Sequence, residues 1–472
     1  MPYAAEPTRR SVERLTDASA VPLWLDTADR PAPTAPLGGT EQCDLAVVGA
    51  GFTGLWTALL AKQADPQRDV VLLEGSRVAQ GATGRNGGFC SASLTHGLSN
   101  GHSRFADELP QLLHLGEANL AAIGAAVAEL GIDCDWRLAD DLLLATDPHH
   151  VADLAEAAEL AGRYDLLAEL LDADQVRERV VSPRYLGGLL EHDGLALVDP
   201  ARLAWGLRRA CLDLGVRLFE GSPVTGMTTD GAGMRLTTPA GSVRARRVAL
   251  ASNAFPPLLK RLRSYVVPVW DYCIATEPLP ADVLAEIGWA GDEGLADASN
   301  QFHYYRLTAD RRIVFGGYDA VYYRGNGFGA HLEQRPATAA LLVEHLTQTF
   351  PATAEVGISH SWGGAIDTCS RFSPFWGTAS GGRVGYVAGY TGLGVGASRF
   401  GAAVMLDLVD GRDSELTRLA MVRSKPLPFP PEPVRGIGID LTRRAFDRAD
   451  REGGRRGPWL KLLDAVGLGF DS

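Results

Sequence analysis

A chain of 472 residues, 46% of them hydrophobic, is long enough for more than one packed unit, and its formal net charge of −12 excludes a nucleic-acid binder, which needs a basic surface for a polyanion. Six scattered cysteines (Cys43, Cys90, Cys134, Cys211, Cys273, Cys369) lack zinc or disulfide spacing, which points to a reducing, cytoplasmic setting and to no metal. The first twenty residues carry arginines without an apolar core and do not read as a signal peptide; no apolar run approaches the ~20 residues that span a bilayer, so small molecules are the expected partners.

Residues 1–42 read as a polar, Pro-rich arm with Trp24 and Leu25 as docking points. A buried-strand pattern over 43–48, a helix over 53–64 and a second strand over 70–73 ending at Glu74 make a strand, helix, strand unit. From 110 to 190 the chain turns Ala-, Leu- and Glu-rich at helical spacing, chiefly over 112–130 and 151–171, and reads as inserted helices. Strands return at 216–219, 234–237 and 245–251, then aromatic and β-branched segments at 266–276, 302–307 and 313–318 suggest an antiparallel sheet. An apolar strand over 384–388 runs into Gly389, Gly392, Gly394 and Gly396 and a helix over 398–409; the tail is basic and Pro-containing. No period of 20 to 50 residues recurs, which excludes a solenoid or propeller. The alternation divides the chain into a first unit of 43–108, 195–260 and 352–412, a second of 109–194 and 261–351, and an extension of 413–472.

Gly49-Ala50-Gly51-Phe52-Thr53-Gly54 follows the first strand and opens the first helix, and Glu74 lies 20 residues beyond the last glycine, with Gly75 and Ser76 beside it. The order is that of a dinucleotide site: the first glycine makes the tight turn, the second admits a pyrophosphate to the helix amides, and the third lets helix and strand pack. Glu74 can accept from a ribose hydroxyl and would repel a 2′-phosphate, which disfavours NADP. A second strip, Gly81-Ala82-Thr83-Gly84-Arg85-Asn86-Gly87-Gly88, suits backbone lying along a flavin; a nicotinamide fold has no routine need of it.

These motifs, with Gly389-Tyr390-Thr391-Gly392-Leu393-Gly394, resemble the FAD-dependent D-amino-acid oxidase superfamily over nearly the whole chain. His303-Tyr304-Tyr305-Arg306-Leu307, Arg312-Ile313-Val314-Phe315-Gly316-Gly317 and Trp362-Gly363-Gly364 are most similar to gamma-glutamylputrescine oxidase-like members. The resemblance implies an α/β (α+β overall) architecture: a Rossmann-like FAD-binding domain interleaved with a substrate domain built on a mixed or antiparallel sheet with helices. It implies that Val224, Ser252 and Asn253 lie by the cofactor and that Gly389, Gly392, Leu393, Gly394 and Val395 hold the flavin carbonyl edge. Relatives with covalent FAD use a cysteine where this chain has Trp362 or a histidine where it has Arg85, so the FAD expected here is non-covalent. The sarcosine-oxidase branch uses a lysine near the flavin for oxygen, whereas no lysine occurs between Lys260 and Lys425.

The implied activity is oxidation of a small primary or secondary amine or amino acid to an imine by hydride transfer to flavin N5, with hydrolysis following and electrons passing to oxygen or a carrier. The alternatives are a D-amino-acid or glycine-type dehydrogenase and an NAD(P)H-dependent flavin monooxygenase; the second would need another dinucleotide fingerprint, which the sequence lacks. Tyr304, Tyr305, Trp270 and Tyr272 are the expected substrate walls, with Tyr318, and Arg306 the expected partner of a substrate carboxylate. The competing reading of alternating aromatics is ordinary sheet core and that of the arginine beside them a solvated side chain, while His303 precedes the Tyr pair on a strand whose buried face the sequence does not give.

Overall fold

In the computed structural model, which describes residues 3–465, apolar strands and amphipathic helices assemble into two sheets that face one another across a cleft. The first has the path Phe375–Ala379, Val384–Ala388, Gly241–Leu250, Gly39–Val48, Val70–Leu73, Arg217–Phe219, with the hairpin Gly226–Asp230 and Gly233–Thr237 off Gly241–Leu250. Its middle pairings are parallel, so its strands are covered on both faces, and the all-buried runs of Val70–Leu73 and Val384–Ala388 are the result. Helices Phe52–Ala64, Pro200–Asp213 and Gly394–Asp410 cover one face, where Leu45, Val47, Leu55, Leu59, Leu203 and Val404 are fully buried.

The second sheet runs Val321–Tyr322, Val267–Thr276, Ile313–Gly317, His303–Leu307, Glu293–Asp297, Arg137–Ala145, Gly187–Leu197, Phe89–Ser91. It is mixed: Glu293–Asp297 pairs parallel with Arg137–Ala145 and the other pairings are antiparallel. Ile358–Thr368 also joins it, alongside Val267–Thr276. One face packs on helix Pro336–Thr349 through Tyr272, Ile274, Tyr305, Phe315, Leu342 and Leu346, and the other turns to the cleft. The fold is thus α/β, with a Rossmann-like unit interleaved with a sheet-based one.

Local periodicity misleads in two places. The helix expected over 151–171 ends at Arg163, after which Asp165 takes φ +56° and Ala168–Asp172 becomes a strand. Pairing with Gly187–Leu197 overrides the helical preference of Leu, Ala and Glu there. The 110–190 stretch is likewise not all helix, because Arg137–Ala145 is a middle strand of the second sheet. The tail forms helices Val434–Arg451 and Pro458–Ala465, which turn out to border the cleft; residues 466–472 lie outside the described part. Among the described residues no helix is long and apolar enough to cross a membrane.

Candidate active site

The cleft holds one cavity of about 1710 Å³, larger than the ~300–1,000 Å³ of an ordinary small-molecule site and so with room for a dinucleotide and a substrate together. At its nucleotide end, Gly49, Gly51, Phe52 and Thr53 open the helix Phe52–Ala64, whose first amides have no partner within the helix. Glu74 stands at the end of the next strand; its Oε2 accepts from the Ala50 amide at 2.8 Å and its Oε1 from Ser76 at 2.9 Å. Burial raises the Glu74 carboxyl above its ordinary value, and the Ala50 and Ser76 amides counter this.

Most residues expected to hold the cofactor border this cavity: Gly75, Ser76, Gly81, Ala82, Thr83, Arg85, Asn86, Gly87, Val224, Ser252, Asn253, Gly392, Leu393, Gly394 and Val395. Four do not, and each acts on a residue that does. Ala50 ties down Glu74, Gly54 packs on Gly49, the Gly88 amide donates to the Asn86 side chain at 2.8 Å, and the Gly389 amide donates to Asp367 at 2.6 Å. Thr83 joins strip to helix, its Oγ1 accepting from the Phe52 amide at 3.1 Å. Trp24 of the N-terminal arm donates to the Asn86 carbonyl at 2.7 Å, and Trp362 to the Arg85 carbonyl at 2.9 Å, so the strip is held from both sides. Glycines at the helix start, a carboxylate at the strand end and a backbone-lined trough beside them fit FAD. Cys369 is fully buried outside the cavity lining and donates to the Ser373 carbonyl; the Arg85 guanidinium is bound to Gly363, Gln80 and Glu333.

The strands of the second sheet alternate their faces, and that parity separates the aromatic candidates. Tyr304 faces the cavity, its ring against Gly87, where an added Cβ would lie 2.7 Å from Cε2. Tyr305, Trp270 and Tyr272 point into the opposite core, where Tyr305 bonds Tyr185 at 2.7 Å, Trp270 donates to Gly327 and Tyr272 donates to Leu332. His303 is buried with them, paired to Asp297 at 2.6 Å and His345 at 2.9 Å. Arg306 shares Tyr304's face but is fully buried, its Nη1 spent on the Gly88 and Val198 carbonyls, and burial lowers its pKa to about 10. It therefore fastens the strip and cannot reach a substrate carboxylate. Arg306→Ala should destabilise the fold by roughly 1–3 kcal/mol, since the Val198 carbonyl loses its donor and the Gly88 carbonyl keeps only the Val198 amide, and move the amine KM little; urea unfolding and steady-state kinetics check this.

The sequence reading passed over Asp271, which lies between Trp270 and Tyr272 and so on the cavity face. Tyr304 Oη donates to its Oδ2 at 2.5 Å, and Cys273 Sγ lies 3.1 Å from the same hydroxyl. Burial pushes the Asp271 carboxyl up to about 6, although Tyr304 and two backbone amides hydrogen-bond its charged form. Asp367 also borders the cavity and burial pushes it up to about 7. His96, with φ +63°, lines it too, its pKa lowered by burial.

A scan against family models matches residues 44–408 to the FAD dependent oxidoreductase (DAO) model, and the chain belongs to that family of FAD-dependent oxidoreductases. Among curated proteins it is 33% identical over 422 residues to the gamma-glutamylputrescine oxidoreductase of Escherichia coli, covering 85% of this chain and 92% of that one. It is 28% identical over 403 residues to the probable oxidoreductase OrdL of Haemophilus influenzae, covering 84% and 89%. Among solved structures, glycine oxidase from Geobacillus kaustophilus superposes with a TM-score of 0.67 at 20% identity over 81% of this chain and 99% of that one, a likeness of fold.

Proposed function

We propose that this chain oxidises the C–N bond of a small amine to an imine, which water then hydrolyses. The observation that carries the reading is the Asp271–Tyr304 pair, a carboxylate and a phenol joined at 2.5 Å on the cavity floor beside Gly87 of the strip. Bound FAD supplies the acceptor for the hydride that leaves the carbon next to nitrogen. An ammonium ion has no lone pair to drive that departure, so the protein must first remove a proton. Asp271 is the acceptor the geometry offers, and Tyr304 orients it. Val267 and Val269 continue the same wall and exclude water from the reacting atoms. The first-turn amides of Gly394–Asp410 open at the cavity beside Gly392 and Leu393, where they can hold negative charge. The amine oxidation accords with the 33% identical relative, the gamma-glutamylputrescine oxidoreductase of Escherichia coli.

Anaerobic mixing of the yellow protein with a panel of amines and with NADPH tests the reading. Bleaching by at least one amine is expected. Bleaching by NADPH alone would instead make the chain a monooxygenase-type enzyme and remove the proposal. Admitting oxygen and measuring peroxide then assigns the electrons to oxygen or to a carrier.

A further inference from the structure

The two C-terminal helices border the chamber but are thinly attached to the body. Helix Val434–Arg451 buries only Gly436 and Ala449 of its 18 residues and helix Pro458–Ala465 only Leu460, whereas most of Gly394–Asp410 is buried. What holds them is polar. The Glu432 carboxylate accepts from the Tyr322 hydroxyl at 2.6 Å and the Gly325 amide at 3.0 Å, Asp450 accepts from the Asn300 and Gln301 amides at 3.0 Å, and Arg443 lies 3.3 Å from Asp319. An element with few buried apolar contacts opens locally at far less than the free energy of global unfolding. The segment is pinned at its start, where Ser370 donates to the Leu427 carbonyl at 2.6 Å and the Phe429 amide to the Ser264 carbonyl at 2.6 Å, and Pro430, Pro431 and Pro433 stiffen the link that follows. The helices can therefore swing about that link without leaving the molecule.

The face they turn inward is apolar. Ile439, Phe446, Trp459 and Leu463 border the chamber, and Trp459 donates to the Thr442 hydroxyl at 3.0 Å, which joins the two helices into one piece. The charged residues on that side are spent: Arg435 on Asn326 at 2.6 Å and the Pro430 carbonyl at 2.9 Å, and Arg443 on Asp319. The sheet adds Phe302 and Tyr318, which border the same space, the Tyr318 amide donating to the Phe302 carbonyl at 2.8 Å. This aromatic ground adjoins the proposed reaction centre, because the amide of Gly317, next to Tyr318, hydrogen-bonds Asp271. It also reaches the helices, because Arg451 donates to the Tyr318 hydroxyl. A molecule with its amine at Asp271 can thus extend across Tyr318 towards Phe446 and Trp459.

We propose that Val434–Ala465 is a hinged lid whose inward face, chiefly Phe446 and Trp459, closes on the non-reacting end of the substrate, so that the amine oxidised at Asp271 carries an apolar tail. This rests on the amine-oxidation reading above and narrows it to a substrate class.

Two measurements on the oxidised holoenzyme test it. Hydrogen exchange should show the amides of Val434–Arg451 exchanging at least about a hundredfold faster than those of Gly394–Asp410, and slowing at least about threefold when the chamber is saturated with tert-octylamine, whose nitrogen-bearing carbon has no hydrogen to lose. Protection equal to that of Gly394–Asp410, or exchange unmoved by the ligand, overturns the lid. Calorimetry should show tert-octylamine bound at least about tenfold more tightly than tert-butylamine, and Phe446→Ala with Trp459→Ala should cut that preference to below about threefold. Leu441→Ala, on the exposed outer side of the same helix, should leave it intact. Equal binding of both amines by the wild type, or a preference that survives the double substitution, overturns the apolar face; the wild-type results decide even if the double variant does not fold. If exchange and preference behave as expected while no oxidisable amine bleaches the flavin, the amine-oxidation reading fails and the lid stands.

Discussion

Gly54→Ala should produce a colourless protein. A methyl at this position would sit within the van der Waals surface of the Gly49 carbonyl oxygen and 2.9 Å from its carbon, and both atoms belong to a backbone that cannot swing aside. Helix Phe52–Ala64 must therefore back away from the end of Gly39–Val48, taking the amides of Gly51 and Thr53 with it and loosening the Phe52–Thr83 bond that ties strip to helix. Those amides act only at hydrogen-bond range, so a displacement of about 1 Å forfeits the diphosphate contact. The expected outcome is loss of at least about nine-tenths of the bound FAD, read as the 450 nm absorbance of protein purified in excess cofactor, with overpacking costing about 1–3 kcal/mol of stability. Gly162→Ala is the control. This glycine is near the end of helix Pro148–Arg163 with open space around its Cβ, so the variant should stay yellow and gain a few tenths of a kcal/mol to about 1 kcal/mol. A yellow Gly54→Ala protein would remove this helix opening from the cofactor site.

Asp271→Asn is the second large effect. The amide keeps the shape and can still accept from Tyr304, but it cannot take a proton from an ammonium. The rate of anaerobic flavin bleaching should fall about 10²–10⁴-fold, the usual range for removing a general base. The pH dependence follows from the raised carboxyl. Wild-type activity rises as pH passes through about 6, where Asp271 ionises, and the variant loses this limb while keeping any limb due to the amine itself. Stability moves with the opposite sign. Between the ordinary carboxylate range and about 6 the folded protein holds a proton at Asp271 that the unfolded chain has released, so this residue's contribution to stability declines as pH rises through that window. Asp271→Asn escapes the decline, and its melting temperature should gain on the wild type as pH increases. A variant with near-normal rate and an unchanged pH limb would assign the proton to solvent.

The cofactor end of this site was legible because its logic is local. The fingerprint from Gly49 to Gly54, Glu74 and the strip from Gly81 to Gly88 each declare their role within a few residues, and the strands flanking them are short apolar runs that nothing distant alters. The substrate end depends on parity and pairing. Choosing Trp270 and Tyr272 for their rings selected one face of Val267–Thr276, whereas Asp271 and Val269 occupy the other. The overlooked signal was a single acid in an otherwise uncharged strand. Tyr304 and Tyr305 are adjacent and opposite in the same way, and no local pattern tells which of them meets the cleft. Arg306 has the residue type of a carboxylate clamp, but its partners, the Gly88 and Val198 carbonyls, lie over 100 residues away in sequence.

Helices Val434–Arg451 and Pro458–Ala465 lie beyond residue 408, where the family match stops, yet Ile439, Phe446 and Trp459 border the reaction chamber. Glu432 accepts from Tyr322, and Asp450 accepts from the Asn300 and Gln301 amides at 3.0 Å, which anchors this segment to the sheet. The family-matched part of the chain thus builds the dinucleotide end of the chamber, while helices beyond it border the same space, so substitutions at Ile439, Phe446 or Trp459 can reshape the chamber with the dinucleotide motif left untouched.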